Sequence, residues 1–238
     1  MHRRVGRVEL AFTDRAGGHS HGAWSSLNLG TSNGDDPTTV QRNLDELAAA
    51  MEVDRLVRMT QVHGRDVHVA TGEDDMLASV PVADALVTET PGLGLLVRVA
   101  DCAPVVVADT ERGIVAVVHV GRKGLVAEVA RQAVGRLHAL GATDLAAWIG
   151  PRACGRCYEL PQDMADEVAA DIPAARSTTS WGTPAIDIGA GLRSQLADLD
   201  VTVHDIGSDL CTIEDEQFFS YRRQGQDSGR FGAVVVVR

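Results

Sequence analysis

The strongest constraint on this chain is a set of short, almost wholly apolar runs at residues 93–99, 104–108 and 114–119, each closed by a polar or glycine-rich break. They are short for helices and lack the alternation of a strand with one wet face, so they read as strands covered on both sides. Further strand-like runs lie at 7–13, 56–60, 66–71, 83–88, 145–149, 201–206 and 231–237. Strands buried on both faces need covering layers, and helical patterns supply them. Asp36 and Pro37 read as an N-cap and first helical residue, followed by the stripe Val40, Leu44, Leu47 and Met51. Residues 124–140 place Leu125, Val129, Ala133 and Leu137 on one face and stop at Gly141. Residues 161–170 and 187–199 also read as helices. Strands and helices do not alternate regularly, and no repeat or linker interrupts the 238 residues. The expectation is a single α/β (α+β) domain over residues 1–238, with mixed sheets flanked by helices.

Composition enters where it excludes functions. A net charge of −11, spread along the chain, argues against wrapping a nucleic-acid backbone, because such binding needs a broad basic surface. No apolar stretch approaches the roughly 20 residues of a membrane helix. The start, Met1-His2-Arg3-Arg4, lacks the apolar core of a secretory signal. A cytoplasmic protein with neither nucleic-acid nor membrane partner is expected. Four cysteines in a chain this long make no disulfide framework, which leaves metal binding, nucleophilic chemistry or burial.

Reactive side chains gather where apolar runs end. His63 follows Gln61 and Val62 and precedes Gly64, which alone fits a turn histidine. Cys102 follows Asp101 at the break between two apolar runs, which alone fits a buried thiol. His119 closes the run from Ile114 and is followed by Gly121, Arg122, Lys123 and Gly124, a strand-to-helix turn whose free N–H groups favour an anion. Two imidazoles and one thiolate would supply three zinc ligands and leave a fourth position open, the pattern of a catalytic site. Their long separations in sequence do not make a local metal motif. Arg222, Arg223 and Arg230, near the C-terminus, are candidates to grip phosphate with paired N–H groups. Cys154-Gly155-Arg156-Cys157 has C-x-x-C spacing, but a structural zinc site needs two more ligands, and Cys102 and Cys211 stand single and far away in sequence. That pair is therefore expected to be neither a zinc nor a redox site.

In their order along the chain these segments resemble the YfiH, or laccase-domain, family of purine nucleoside phosphorylases. The likeness runs through His21, Ser26-Leu27-Asn28-Leu29-Gly30, Gly34-Asp35-Asp36-Pro37, Gln61-Val62-His63-Gly64, Ala83-Asp84-Ala85-Leu86-Val87-Thr88 and Ala100-Asp101-Cys102-Ala103-Pro104. It continues through His119-Val120-Gly121, Gly150-Pro151, Cys157-Tyr158-Glu159, Cys211-Thr212, Phe219-Ser220-Tyr221-Arg222-Arg223 and Gly229-Arg230. The resemblance implies a layered α/β/β/α sandwich, active as a monomer, in which His63, Cys102 and His119 meet around zinc. It also implies phosphorolysis of adenosine, inosine, guanosine or methylthioadenosine to base and ribose 1-phosphate, with adenosine deamination as a second activity. Asn28, Arg222 and Arg230 fall on motif positions expected to line the substrate cleft. This chain departs where the family has Trp-Arg and it has Arg122-Lys123. It departs again at Leu44, where an Arg is common, and at Arg156, where a cysteine is common. Three other readings use the same residues: a metal-free cysteine hydrolase with Cys102 as nucleophile and His119 as base, including a peptidoglycan-editing amidase; a copper-dependent polyphenol oxidase, although the sequence lacks clustered His-x-His pairs; and a zinc-stabilised partner-binding domain without catalysis.

Overall fold

In the computed structural model, which describes residues 1–72 and 80–238, the apolar runs build two facing sheets. The first, in spatial order, is β1 (His2–Val5), β2 (Val8–Phe12), β13 (Phe231–Val237), β6 (Gly94–Val99) and β3 (Leu56–Val57). The second is β12 (Thr202–Asp205), β9 (Ala146–Ile149), β7 (Ala103–Asp109), β8 (Ile114–Val120), β5 (Ala85–Thr88) and β4 (Val67–Val69). A separate hairpin pairs β10 (Arg176–Thr178) with β11 (Pro184–Ile186). Both large sheets mix parallel and antiparallel pairs; β3 runs parallel to β6 and β4 parallel to β5, while the central pairs are antiparallel.

The period-two geometry of a strand explains the layers. Leu95, Val97 and Val99 of β6 point between the sheets, against Val106, Val115, Val117 and Trp148 of the second sheet. Leu96 points the other way, onto α1 (Pro37–Ala50), where it meets Val40, Leu44, Leu47 and Met51. In β7, Val106 and Ala108 face the first sheet, whereas Val105 and Val107 face a helical layer. That layer comprises α2 (Arg122–Val126), α3 (Val129–Ala139), α4 (Gln162–Asp171) and α5 (Ile188–Ala197). The result is the expected α/β/β/α sandwich. Both faces of the central strands are dry, which is why their sequences do not alternate.

Two readings of local structure change. Residues 124–140 are not one helix: Glu128 adopts a left-handed conformation, φ 55°, and separates α2 from α3. Leu125, Val129, Ala133 and Leu137 remain buried on the same side, so hydrophobic spacing could not reveal the break. The first strand is likewise one arm of a β1–β2 hairpin turned at Gly6, φ 55°. Asp36 does cap α1, its carboxylate accepting from the Thr39 N–H at 2.8 Å. Among the described residues no helix is long and apolar enough to cross a membrane.

Candidate metal centre and cleft

At one end of the sandwich, two of the chain's passages between the sheets each carry a reactive side chain. After β6 the chain turns through residues 100–102, with Asp101 at φ 82°, and enters β7 in the other sheet. Cys102 sits on that crossing. Between β3 and β4 it crosses again through His63, φ 60°. His119 arrives from β8, whose register sets it opposite Pro104 of β7, next to the Cys102 turn. Three residues distant in sequence thus converge because two crossings and one strand end share an edge.

The geometry fits a single ion. The ligand-capable atoms of His63, Cys102 and His119 all lie within 4.8 Å of one another, with Cys102 Sγ 3.7 Å from His63 Nε2. His63 and His119 meet edge to face, ring centres 4.7 Å apart. A Cβ on Gly121 would sit 2.7 Å from His63 Cδ2 and 2.9 Å from Cys102 Sγ, so only glycine leaves room there. His119 is buried, Cys102 half-buried and His63 exposed, which leaves one side of the cluster open.

Asp84, which sequence reasoning did not assign a role, anchors the arrangement. It is fully buried just before β5 and accepts from His119 Nδ1 at 2.8 Å and from the backbone N–H groups of Val62, His63 and Gly64 at 3.2, 2.9 and 2.6 Å. One carboxylate therefore holds the left-handed His63 turn and directs the other nitrogen of His119, Nε2, toward the cluster, the usual task of a carboxylate behind a metal-binding histidine. Burial alone would raise the Asp84 pKa, but His119 and the Gly64 and Val62 amides outweigh it and hold the carboxyl below its ordinary value. For Cys102, too, burial opposes ionisation; the neighbouring His119 and His63 prevail and bring the thiol down to about 6. His119 moves oppositely: burial disfavours its charge, yet the Cys102 thiolate and Asp84 lift it to about 9. Without metal, the two shifts favour a thiolate on Cys102 beside a protonated His119.

The cluster forms the floor of a cleft of about 530 Å³, within the roughly 300–1,000 Å³ range of small-molecule sites. Arg98, Arg222 and Arg230 line it together with Tyr158, Tyr221 and Asn33. Arg222 and Arg230, which the resemblance marks as substrate-binding candidates, both line this cleft. Arg222 lies over the Tyr158 ring at 4.8 Å, and Arg230 donates to the carbonyls of Ser228 and Gly229 at 2.7 and 2.8 Å. Asn28 stands behind the wall: it is fully buried and spends its amide on Asp35, Asn33, Gly30 N and Arg230 N, so it shapes the Arg230 loop. Arg122 and Lys123, candidates for an anion at the start of α2, are not on the cleft lining. Asp101 holds the Thr212 hydroxyl and the Arg222 N–H, each at 2.7 Å, fastening the 211–224 loop beside the cysteine.

Arg98, Tyr158 and Tyr221 are further cleft residues to which sequence reasoning gave no role. Arg98 is the one charge in the apolar run of β6. Its guanidinium bonds to Thr31 Oγ1 and the Met59 carbonyl at 2.9 Å each, while its buried Nε has no partner. Burial, then Arg58 and Arg230, lower its pKa to about 10, so it stays cationic beside a second guanidinium, an environment that favours an anion.

Fold and site together define an α/β protein in which a two-histidine, one-cysteine cluster that could hold a metal ion opens into a cationic cleft, unlike a closed structural zinc module. A family model described as multi-copper polyphenol oxidoreductase laccase matches residues 9–238, and the chain belongs to that family. It is 46% identical to a purine nucleoside phosphorylase of Streptomyces griseus, over 97% of this chain and 95% of that protein. It is 42% identical to a purine nucleoside phosphorylase of Mycobacterium tuberculosis, over 96% and 92%. Among solved structures it resembles YlmD from Geobacillus stearothermophilus, with TM-score 0.84, 30% identity and coverage of 98% and 92%. A DUF152 protein of Neisseria meningitidis superposes with TM-score 0.85 at 30% identity, covering 98% and 96%.

Proposed function

We infer that the chain is a zinc-dependent purine nucleoside phosphorylase, converting adenosine, inosine, guanosine or methylthioadenosine and phosphate to free base and ribose 1-phosphate, with adenosine deamination as a side activity. The observation that carries this reading is the meeting of His63, Cys102 and His119 on the floor of a cleft walled by three arginines and two tyrosines. Relatives named purine nucleoside phosphorylase, alike over nearly the whole chain, support it.

His63 Nε2, Cys102 Sγ and His119 Nε2 would hold the ion, and a bound zinc would supply Lewis-acid polarisation of an oxygen nucleophile. Arg98, Arg222 and Arg230 bind and orient the phosphate. Charge-assisted bonds from fixed guanidiniums also stabilise the charge that shifts as the phosphate oxygen attacks the anomeric carbon and the C–N bond to the purine breaks. Tyr158 and Tyr221 offer flat faces to the base. Asp84 keeps a proton on His119 Nδ1 and leaves the lone pair of Nε2 free to ligate. The two nitrogens and one sulfur suit zinc and also accommodate copper.

The test is product analysis. With adenosine, adenine and ribose 1-phosphate should appear only when phosphate is present, and inosine should appear at a lower rate without it. Chelation should stop both. A thiolate–imidazolium pair also suits a metal-free cysteine hydrolase, and turnover that survives chelation but not iodoacetamide would favour that reading. Oxidation of a phenol with bound copper would favour the polyphenol oxidase.

A further inference from the structure

The C-x-x-C pair that looked incomplete in sequence is completed in space. Cys154, Cys157, Cys211 and Glu214 present ligand atoms that all lie within 4.8 Å of one another. Cys157 and Cys211 are buried, Cys154 half-buried and Glu214 exposed. The four come as two matched turns, Cys154-Gly155-Arg156-Cys157 and Cys211-Thr212-Ile213-Glu214. In the first, the Cys157 N–H donates to the Cys154 carbonyl at 3.0 Å; in the second, the Glu214 N–H donates to the Cys211 carbonyl at 3.1 Å. Two turns with ligands three residues apart, set against each other, are the way structural zinc sites assemble a tetrahedron. At zinc–sulfur distances near 2.3 Å, tetrahedral sulfurs stand about 3.8 Å apart, so the observed spacing needs little closure.

The surroundings match that role. The Cys154 N–H donates to Cys211 Sγ at 3.4 Å, a backbone-to-sulfur bond that suits a thiolate. Arg152 and Cys211 form an isolated parallel bridge, and the Thr212 N–H donates to the Arg152 carbonyl at 3.1 Å, aligning the two turns. Arg223 donates to the carbonyls of Thr212, Ile213 and Asp215, bringing positive charge to a turn that would carry excess negative charge. Gly155 fits tightly against β10 and α5; a Cβ there would lie 2.7 Å from both Ser177 Oγ and Asp187 Cβ.

We propose that Cys154, Cys157, Cys211 and Glu214 form a second, structural zinc site that clamps the loop after β9 to the loop before α6 (Tyr221–Gln224). Three thiolates select a thiophilic ion, and four protein ligands close its coordination. The clamp has a functional address. Tyr158 directly follows Cys157, and Arg222 lies in α6, into which the second loop leads. These two side chains stack at 4.8 Å in the cleft wall, so the clamp fixes their distance. A redox dithiol would explain Cys154 and Cys157 but not the convergence of Cys211 and Glu214.

Zinc content of full-length protein, purified under reducing conditions, saturated with Zn2+ and freed of excess, tests this. Wild type should hold two zinc ions per chain, Cys102→Ala one, and Cys211→Ser one. If Cys211→Ser fails to fold, zinc-edge X-ray absorption on Cys102→Ala supplies the same answer without touching the second cluster: three sulfurs and one oxygen are expected. Zinc-free Cys102→Ala protein, or a chain lighter by two hydrogens from a Cys154–Cys157 disulfide, overturns the proposal. Neither result touches the assignment of the His63–Cys102–His119 centre, which is tested by loss of zinc from Cys102→Ala.

Discussion

Among the described residues stand two sulfur-containing clusters built on opposite plans. The His63–Cys102–His119 cluster stands at strand ends and sheet crossings, has one thiol among two imidazoles, is backed by a buried carboxylate and opens into the cleft. The Cys154–Cys157–Cys211–Glu214 cluster stands on two turns and is rich in sulfur. The difference appears in their thiols. Imidazoles overcome burial and bring Cys102 down to about 6, whereas burial, followed by neighbouring thiols, pushes Cys157 up. The Cys102 thiol is eased toward ionisation by its imidazoles before any ion arrives, whereas burial holds the Cys157 and Cys211 thiols toward the protonated form. Rigid support with an open coordination side suits chemistry, and closed coordination suits fastening.

The sharpest way to break this contrast is Gly121→Ala. Its methyl would collide with His63 and Cys102, so one zinc and more than 99% of nucleoside turnover should be lost while circular dichroism stays native. Retained turnover would show that the three side chains need no such close approach. Asp84→Asn comes next. It keeps the size of the side chain but loses the charge that orients His119, and zinc affinity in a chelator competition should fall about 10- to 100-fold. Zinc at the second cluster should be unaffected, and equal weakening of both would erase the distinction between them.

How much of this was legible in sequence depended on the distance over which a signal acts. The double-faced strands followed from apolar runs, and the α1 cap from Asp36 and Pro37. His63, Cys102 and His119 were marked by position at run ends, although only the ordered resemblance brought them together; the sheet crossings that do so are invisible to spacing. Asp84 left a faint trace, a single carboxylate opening the apolar run 83–88, and Arg98 a similar one within β6. A lone charge inside a buried strand has to be used for something. The partnership of Cys154 and Cys157 with Cys211 could not be read, because pairing of the 152 and 211 loops depends on one backbone bridge. The break at Glu128 was hidden because both sides of it keep the same apolar face.

Two smaller effects sharpen the comparison. Arg98→Met removes one cleft cation while preserving much of its apolar stem, and a charge-assisted bond of about 1.5–3 kcal/mol corresponds to a rise of roughly 10- to 100-fold in KM for phosphate. The KM for nucleoside should change less, and a larger change there would move Arg98 to the base-binding side. In zinc-stripped protein, iodoacetamide should label Cys102 readily at pH 7, where a thiol near 6 is mostly thiolate, and about tenfold more slowly at pH 5,. Cys157, pushed upward, should remain unlabelled across that range. Labelling of Cys102 that begins only above pH 8 would show that the histidines do not stabilise its thiolate.

The most direct test follows adenine release from adenosine in phosphate buffer, comparing wild type with Cys102→Ala at saturating zinc. Release by wild type alone, stopped by chelation and restored by zinc, is the predicted result. Equal release by both proteins would contradict the account.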